Sequence, residues 1–531
     1  MIFLTFDFFN LLSIISRMSY DLFKVKGYEL DCEQKEIVTS AAKNILVIAG
    51  AGSGKSLTIV GKIKYLIYKL NVMPSEILCI SFTNDACNSL KNTIFNEIKM
   101  EIDVLTFHKL GLKILKDHNI SFSIAESDLL DYIANEMINY ILINDDFYKQ
   151  VLLKYFKVCT LLKNTDKVLI KLMREKHLEV KTLINSIITF IRLFKTNGYD
   201  YDYLKDTLNK EKKRFWNKKH FYFLLLVSRI FYEYESELSA CDKIDFDDMI
   251  LNASKLLNKK TKTYSYKYII IDEFQDTSNV RYKLIEALLN VTGAKFMAVG
   301  DDYQSIYRFA GCDLYLFLNF SNFFPNAIVY KIQTTYRNSY QLIKVCERFI
   351  KVNKLQLDKS LKSSLSLEKP IKIVYYADQK RVFIKLLDYL YNKGIKNILI
   401  LGRNNDNLND ILSRGFIVDK FGNLFYSRYN DMKLRFLTVH RSKGLEEDCV
   451  IVLSLENKIW GFPNKKSEEK VFNYVLSKKE MCPYAEERRL FYVASTRTKG
   501  YVLLLVNTKT PSVFVKELLL YSKKDLEILK I

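Results

Sequence analysis

Proline is scarce, with six residues in a chain of 531. So few leave little scope for extended hinge segments, and no low-complexity linker interrupts the sequence. The nine cysteines form no CxxC pair, and neither they nor the five histidines show metal-site spacing. Neither a structural zinc nor a disulfide framework is expected; buried free thiols in a reducing cytoplasm fit better. Membrane-length hydrophobic runs are also missing. The most apolar stretch, MIFLTFDFFNLLSIISR (1–17), is short of a span and lacks both a basic leader and a small-residue cleavage site. Met18 follows it directly, so it is expected to reflect a misassigned start codon or, failing that, an amphipathic N-terminal helix; a signal peptide ranks third. Acidic residues are in deficit too: 60 against 81 Lys plus Arg, a formal charge of +21.

That excess points to a polyanion, either nucleic acid or an anionic membrane surface. An AT-rich genome favouring Lys, Asn, Ile, Tyr and Phe is the bland alternative. Hydrophobic residues make up 49% and charged residues 27%, the profile of a soluble globular protein. The length exceeds one ordinary core, so two or more domains are expected. Short apolar runs recur with helical segments between them: NILVIA from Asn44, EILCIS from Glu76, YIIID (268–272), FMAVGD (296–301) and AIVYKI (327–332). A further set comprises IKIVYY (371–376), NILIL (397–401), RFLTV (435–439), CVIVL (449–453) and YVLLL (501–505). This alternation predicts an α/β fold with parallel sheets covered on both faces, in two groups. From residue 119 to 240 long helical segments replace it, a helical insertion in the first group. Within them NKEKKRFWNKKHFYF (209–223) interleaves basic and aromatic residues. It reads as a solvated basic face or, more sharply, as a DNA contact through Lys212, Lys213 and Lys218.

AGAGSGKS carries the first specific chemistry. It lies between an apolar strand and a helix, the setting of a P-loop. Backbone N–H groups along Ala49, Gly50, Ala51, Gly52, Ser53 and Gly54 can turn toward phosphate oxygens, and the helix N-terminus adds positive charge. Lys55 would reach the β- and γ-phosphates, and Ser56 would ligate Mg²⁺. IIIDEFQD (269–276) is the expected partner. Its strand delivers Asp272 to hold Mg²⁺ and Glu273 to orient and deprotonate the attacking water.

These segments, in this order, resemble the motifs of superfamily 1 helicases of the UvrD/Rep type, nearest to the helicase IV branch, over residues 30–506. DFDDMI (245–250) belongs to the same pattern. The resemblance implies two RecA-like domains using ATP and Mg²⁺. LDCEQ makes Gln34 an adenine contact. FTNDA and TFHKLG imply that Phe82, Thr83, Asn84, Phe107 and His108 meet single-stranded DNA, although Asp85 stands where the family usually has a basic residue. TTYRNS implies that Tyr336 stacks on adenine and Arg337 reaches the γ-phosphate. TVHRSKGLEED places Glu446 on the ribose hydroxyl and His440 near DNA. EERRLFYVASTRTK supplies Arg497, the second γ-phosphate arginine. Both arginines would lie on the second α/β group and reach across a cleft to the first. VGDDYQSIYRFAG (299–311) resembles the coupling motif: Asp301 and Gln304 toward the nucleotide, Tyr307 and Phe309 toward DNA, with Phe309 replacing the usual tryptophan. Tyr303 fits neither role, and Arg308 reads as a solvated side chain.

The implied layout is an N-terminal extension (1–29), a first RecA-like domain (30–118 and 241–325), the helical insertion (119–240) and a second RecA-like domain (326–531). The interval from Arg337 to His440 leaves little room for a large accessory domain. Too little precedes Gln34 for a long coiled-coil arm, and too little follows Arg497 for a fused nuclease. The expected function is an ATP-dependent 3′→5′ DNA helicase or translocase in repair, recombination or replication. Its partners would be single-stranded and duplex DNA and possible repair or replication proteins, and it would be a cytoplasmic monomer without a membrane. The alternatives are a helicase-like ATPase remodelling RNA polymerase and the DNA-binding motor subunit of a larger repair complex.

Overall fold

The computed structural model describes residues 22–158, 177–214 and 218–531; the apolar stretch 1–17 and residues 215–217 of the basic–aromatic segment lie outside them. Six strands build the first sheet: β1 (Asn44–Ala49), β2 (Ile77–Ser81), β3 (Asp103–Thr106), β4 (Tyr268–Ile271), β5 (Lys295–Gly300) and β6 (Ala327–Ile332). Their order is β6-β1-β5-β4-β2-β3, every pair parallel. β1 is buried on both faces, as its unbroken apolar run requires. Ile45, Val47 and Ala49 pack with the helices Lys55–Tyr68 and Asn84–Ile98, while Leu46 and Ile48 pack with Phe107–Asp117, Phe246–Asn258 and Asn279–Thr292.

The second sheet has eight strands: β7 (Ile371–Tyr376), β8 (Asn397–Gly402), β9 (Phe416–Val418), β10 (Asn423–Tyr426), β11 (Lys433–Thr438), β12 (Glu447–Leu455), β13 (Thr498–Asn507) and β14 (Leu526–Leu529). Their order is β9-β10-β11-β8-β12-β13-β7-β14, parallel except where the hairpin β9–β10 extends one edge. The division expected between residues 325 and 326 falls one strand too early. β6 hydrogen-bonds to β1 along its whole length, so it belongs to the first sheet.

Helices between Leu129 and Ala240 enclose their own apolar core around Ile187, Ile191, Phe194, Phe223 and Ile230. Val471, Val475 and Leu476, from the excursion between β12 and β13, enter that core. Tyr203 Oη donates to the Tyr474 carbonyl at 2.6 Å and Asn197 Nδ2 to the Val475 carbonyl at 2.8 Å. The insertion therefore touches the second α/β unit as well as the one it interrupts.

Candidate active site

The loop after β1 is clasped from two sides. Gly52 and Gly54 lie at φ +71° and +78°, a region open to glycine at little cost. Space excludes a side chain as well: a Cβ on Gly52 would sit 2.4 Å from Arg337 Cβ, and one on Gly54 would sit 2.8 Å from Gln34 Nε2. Gln34 Nε2 donates to the Ser53 carbonyl at 3.2 Å, and Thr335 Oγ1 donates to the Ala51 carbonyl at 2.8 Å. The Tyr336 N–H donates to the Gly52 carbonyl at 3.0 Å. Tyr336 Oη donates to Asp31 at 2.8 Å, and Asp31 caps the helix that carries Gln34. Gln34 and the half-exposed Tyr336 ring thus flank one phosphate-type loop although 302 positions in the numbering separate them.

β4 delivers Asp272 and Glu273 to the same end of the sheet. Glu273 stands at φ +55°, unusual for a side chain of its kind. Its carboxylate receives Lys55 Nζ at 2.7 Å and Gln275 Nε2 at 2.5 Å, with Lys443 Nζ 3.5 Å away. Burial alone would raise its pKa, but Lys55 and Lys443 hold it well below the usual carboxylate range. Burial and the adjacent Glu273 push Asp272 up to about 6; burial also pushes Asp276, ion-paired to Lys443, up to about 6. Lys443 was not singled out from the sequence, because nothing in RSKGLE indicates that its ammonium crosses to the first sheet.

This donor set suits a magnesium nucleotide. Lys55 is the one loop ammonium, and here a carboxylate satisfies it where phosphate oxygens would. Ser56 is exposed at the first turn of the helix, and Asp272 ends the adjoining strand. Among the described residues no cluster of three or more His, Cys, Asp or Glu side chains could hold a metal alone. Ser56 and Asp272 would therefore share the ion with phosphate oxygens.

The loop after β5 departs from expectation. Asp301 does not face the nucleotide; it and Asp302 are fully buried and both ion-pair with the equally buried Lys359. Burying two carboxylates without such a partner would be prohibitive. Asp301 Oδ2 also accepts from Gln304 Nε2 at 2.5 Å, and Gln304 Oε1 accepts from Arg497 Nη2 at 2.9 Å. Gln275 Oε1 accepts the Asp301 N–H at 2.9 Å. A continuous polar path therefore runs from Glu273 through Gln275, Asp301 and Gln304 to Arg497. Burial, reinforced by the nearby Arg337, pushes the Arg497 guanidinium down to about 9, which leaves it cationic at neutral pH. Tyr303 is a core residue: it is buried edge-on to Tyr492, with its hydroxyl donating to the Leu357 carbonyl at 2.7 Å. Arg308 is not a free solvated side chain, because it binds Glu468 at 2.9 Å and the Ser477 carbonyl at 2.9 Å.

The arginines also depart from expectation. Arg337 follows β6, so the first sheet delivers it, whereas Arg497 precedes β13 of the second. Each unit contributes one arginine. Arg337 Nε pairs with Glu446 at 2.6 Å, which brings two expected nucleotide contacts together across the cleft.

On the other side of the coupling loop, Tyr307 Oη donates to the His440 carbonyl at 2.9 Å. Phe309, 55% exposed, meets the His440 ring edge-on at 5.3 Å. Burial pushes the His108 and His440 imidazoles down to about 4, so both are neutral near pH 7. Thr83 and Asn84 are exposed where a helix begins, with Thr83 capping it. Phe107 is not available for stacking. It is 2% exposed, because it opens an amphipathic helix whose apolar face enters the core. Phe82 is half-buried, with the Arg281 guanidinium 5.0 Å above its ring. Phe246 is instead an exposed ring on this side: it lies edge-on to His108 at 5.1 Å and lines a cavity of about 430 Å³ together with Phe309. In DFDDMI it reads as an apolar helix residue, so only its tertiary position reveals it.

Two family models match. One, described as the UvrD/REP helicase N-terminal domain, covers residues 30–325; the other, the UvrD-like helicase C-terminal domain, covers 426–509. DNA helicase IV of Escherichia coli is 29% identical over 514 residues, covering 93% of this chain and 71% of the relative. ATP-dependent DNA helicase Rep of Buchnera aphidicola (from Acyrthosiphon pisum) is 30% identical over 394 residues, covering 71% of this chain and 54% of the relative. ATP-dependent DNA helicase PcrA of Bacillus subtilis is 26% identical over 364 residues, covering 65% of this chain and 42% of the relative. The chain thus spans about half the length of the Rep and PcrA relatives.

Proposed function

The chain belongs to the UvrD/Rep helicase family, and from that premise we propose that it is an ATP-driven motor that moves 3′→5′ on single-stranded DNA and separates duplex DNA. The observation that carries the reading is the polar path Glu273–Gln275–Asp301–Gln304–Arg497. It links the water-side carboxylate of the first sheet to an arginine of the second. It also runs directly into the loop whose Tyr307 and Phe309 meet His440.

When bound, ATP with Mg²⁺ supplies the γ-phosphoryl group and its charge. Lys55 would exchange Glu273 for phosphate oxygens. As that ammonium leaves, Glu273 becomes more basic and can take the proton of the attacking water. Arg337 would leave Glu446 in the same way, which frees the Glu446 oxygen not paired with Lys499 for a ribose hydroxyl. Arg497, reaching from the second unit to a γ-phosphate that Arg337 meets from the first, then draws the cleft closed, and loss of the γ-charge lets it reopen. Gln304, bonded to Arg497, reports that change to Tyr307 and Phe309, where bases would stack. No described helix is long and apolar enough to cross a membrane.

The test is ATP hydrolysis with and without single-stranded DNA, followed by strand separation on duplexes with 3′ or 5′ tails. DNA-stimulated hydrolysis and separation of 3′-tailed duplexes are expected. Hydrolysis indifferent to DNA would refute the motor, and separation only from 5′ tails would refute the polarity. Stimulated hydrolysis without separation would instead make the chain a motor subunit of a larger assembly.

A further inference from the structure

The hairpin β9–β10 lies at residues 416–426, almost wholly between the two segments that match family models. Its covered face is ordinary core: Phe416 stacks on Tyr426 at 4.3 Å, and Leu424 is 2% exposed. The opposite face is uncovered. Ile417 and Phe425 are cross-strand partners, 70% and 58% exposed, and Phe421 at the turn is 58% exposed. Arg435, register partner of Asn423, shares that face, as does Lys433 two residues before it. On β8, Leu399 opposite Arg435 is buried, and on β11 so is Leu437, two residues beyond Arg435 on the same face, so the helical cover ends across β11 between Arg435 and Leu437.

Cations outnumber carboxylates on this shelf. Arg414, Lys420, Lys433 and Arg435 are exposed, and among the described residues none of them makes an ion pair. Of the nearby carboxylates, Asp419 accepts N–H groups within the turn, Asp388 holds Arg428 and Asp431 pairs with Lys396, while Glu447 acts on Lys433 and Arg435 without forming an ion pair. Lys420 Nζ lies 5.1 Å above the Phe421 ring. The hairpin turn also lies toward the strip described above. The Phe436 N–H donates to the Gly422 carbonyl at 2.7 Å, so the hairpin turn sits at the end of β11 from which the chain enters His440.

We propose that this face is a second contact for single-stranded DNA, extending the strip from Phe309 and His440; it rests on the DNA-motor reading. Exposed rings for bases and unpaired cations for phosphates are what a sequence-tolerant strand contact requires. A protein partner would more commonly meet an apolar patch depleted of lysine at its centre.

The test compares binding of oligothymidylates of about 8 and about 20 nucleotides, the shorter spanning only the Phe309–His440 strip. Phe421→Ala/Phe425→Ala should weaken the longer oligonucleotide about tenfold and leave the shorter unchanged. Lys420→Ala/Arg435→Ala should lower the log–log salt slope for the longer one by about 1.4, two phosphates at about 0.7 each. Hydrolysis stimulated by the short oligonucleotide should be unchanged in both variants. Irradiating the unaltered chain on bromouracil-substituted DNA needs no variant and should crosslink the 416–426 peptide. Unchanged long-strand affinity and slope, or crosslinks confined to the Phe309 loop, overturn the shelf and leave the motor reading standing. If the unaltered chain binds neither oligonucleotide, both readings fall.

Discussion

Lys359→Met isolates the buried charge beneath the coupling loop. Methionine keeps most of the stem volume and removes the ammonium. Lys359, Asp301 and Asp302 are all fully buried, so no solvent screens the loss. Removing one partner of a buried pair costs about 3–5 kcal/mol, and here two carboxylates lose the same cation. Proton uptake limits the damage. Burial already raises the Asp302 carboxyl against the pull of Lys359, and losing that ammonium raises it further, so the folded variant binds more protons there than the unfolded chain. The deficit should therefore be largest near pH 7 and shrink as pH falls toward about 5. Adding Asp302→Asn removes one of the two charges and should recover about 1–3 kcal/mol, a coupling that a double-mutant cycle reads directly. Urea unfolding at several pH values is the assay. Asp301 also holds Gln304, and Gln304 holds Arg497. The variant should therefore lower kcat for ATP, expressed per folded molecule by nucleotide-site titration, while KM changes little; partial unfolding alone would lower the rate per total protein and leave the rate per folded molecule unchanged. A Lys359→Met protein within about 0.5 kcal/mol of the unaltered chain at pH 7, with normal kcat, would refute the reasoning.

Lys55→Ala should reduce hydrolysis at least about a hundredfold, because the phosphates lose their ammonium partner; steady-state turnover checks it. Glu273→Gln should retain nucleotide binding, measured by fluorescent-nucleotide titration, and lose turnover; normal hydrolysis would remove Glu273 from the role of base. Phe309→Ala should weaken single-stranded DNA binding about tenfold and leave nucleotide affinity unchanged, whereas equal loss of both would make Phe309 a packing residue. Stability should fall as pH drops from about 6.5 to about 4, because the unfolded chain protonates His108 and His440 while the folded chain keeps them neutral. His108→Asn/His440→Asn should flatten that limb of the thermal-melting profile.

The parts of the molecule that were legible in the sequence are those written locally. A buried parallel strand is an unbroken apolar run and a phosphate loop is a glycine-rich turn before a helix, so β1 and its loop announce themselves within a dozen residues. β3, only four residues long, and the hairpin β9–β10 carry no such run. Partnership across the chain is a different matter. Phe82 and Phe107 occupy similar motif positions, yet Phe107 turns into the core, because its place on a helix face is set by residues further along. Arg337 lies on the first sheet against expectation, because β6 has no local mark distinguishing an edge strand of the first sheet from the opening strand of the second. Lys359 shows the limit best. LDKSLK reads as a solvated surface run, and only the two carboxylates fifty-odd positions earlier make that lysine a buried counter-ion. The motifs name the groups proposed to meet nucleotide and DNA. The residues that hold those groups in register lie outside the motifs, where charge balance in the folded interior, not local pattern, decides which side chain serves.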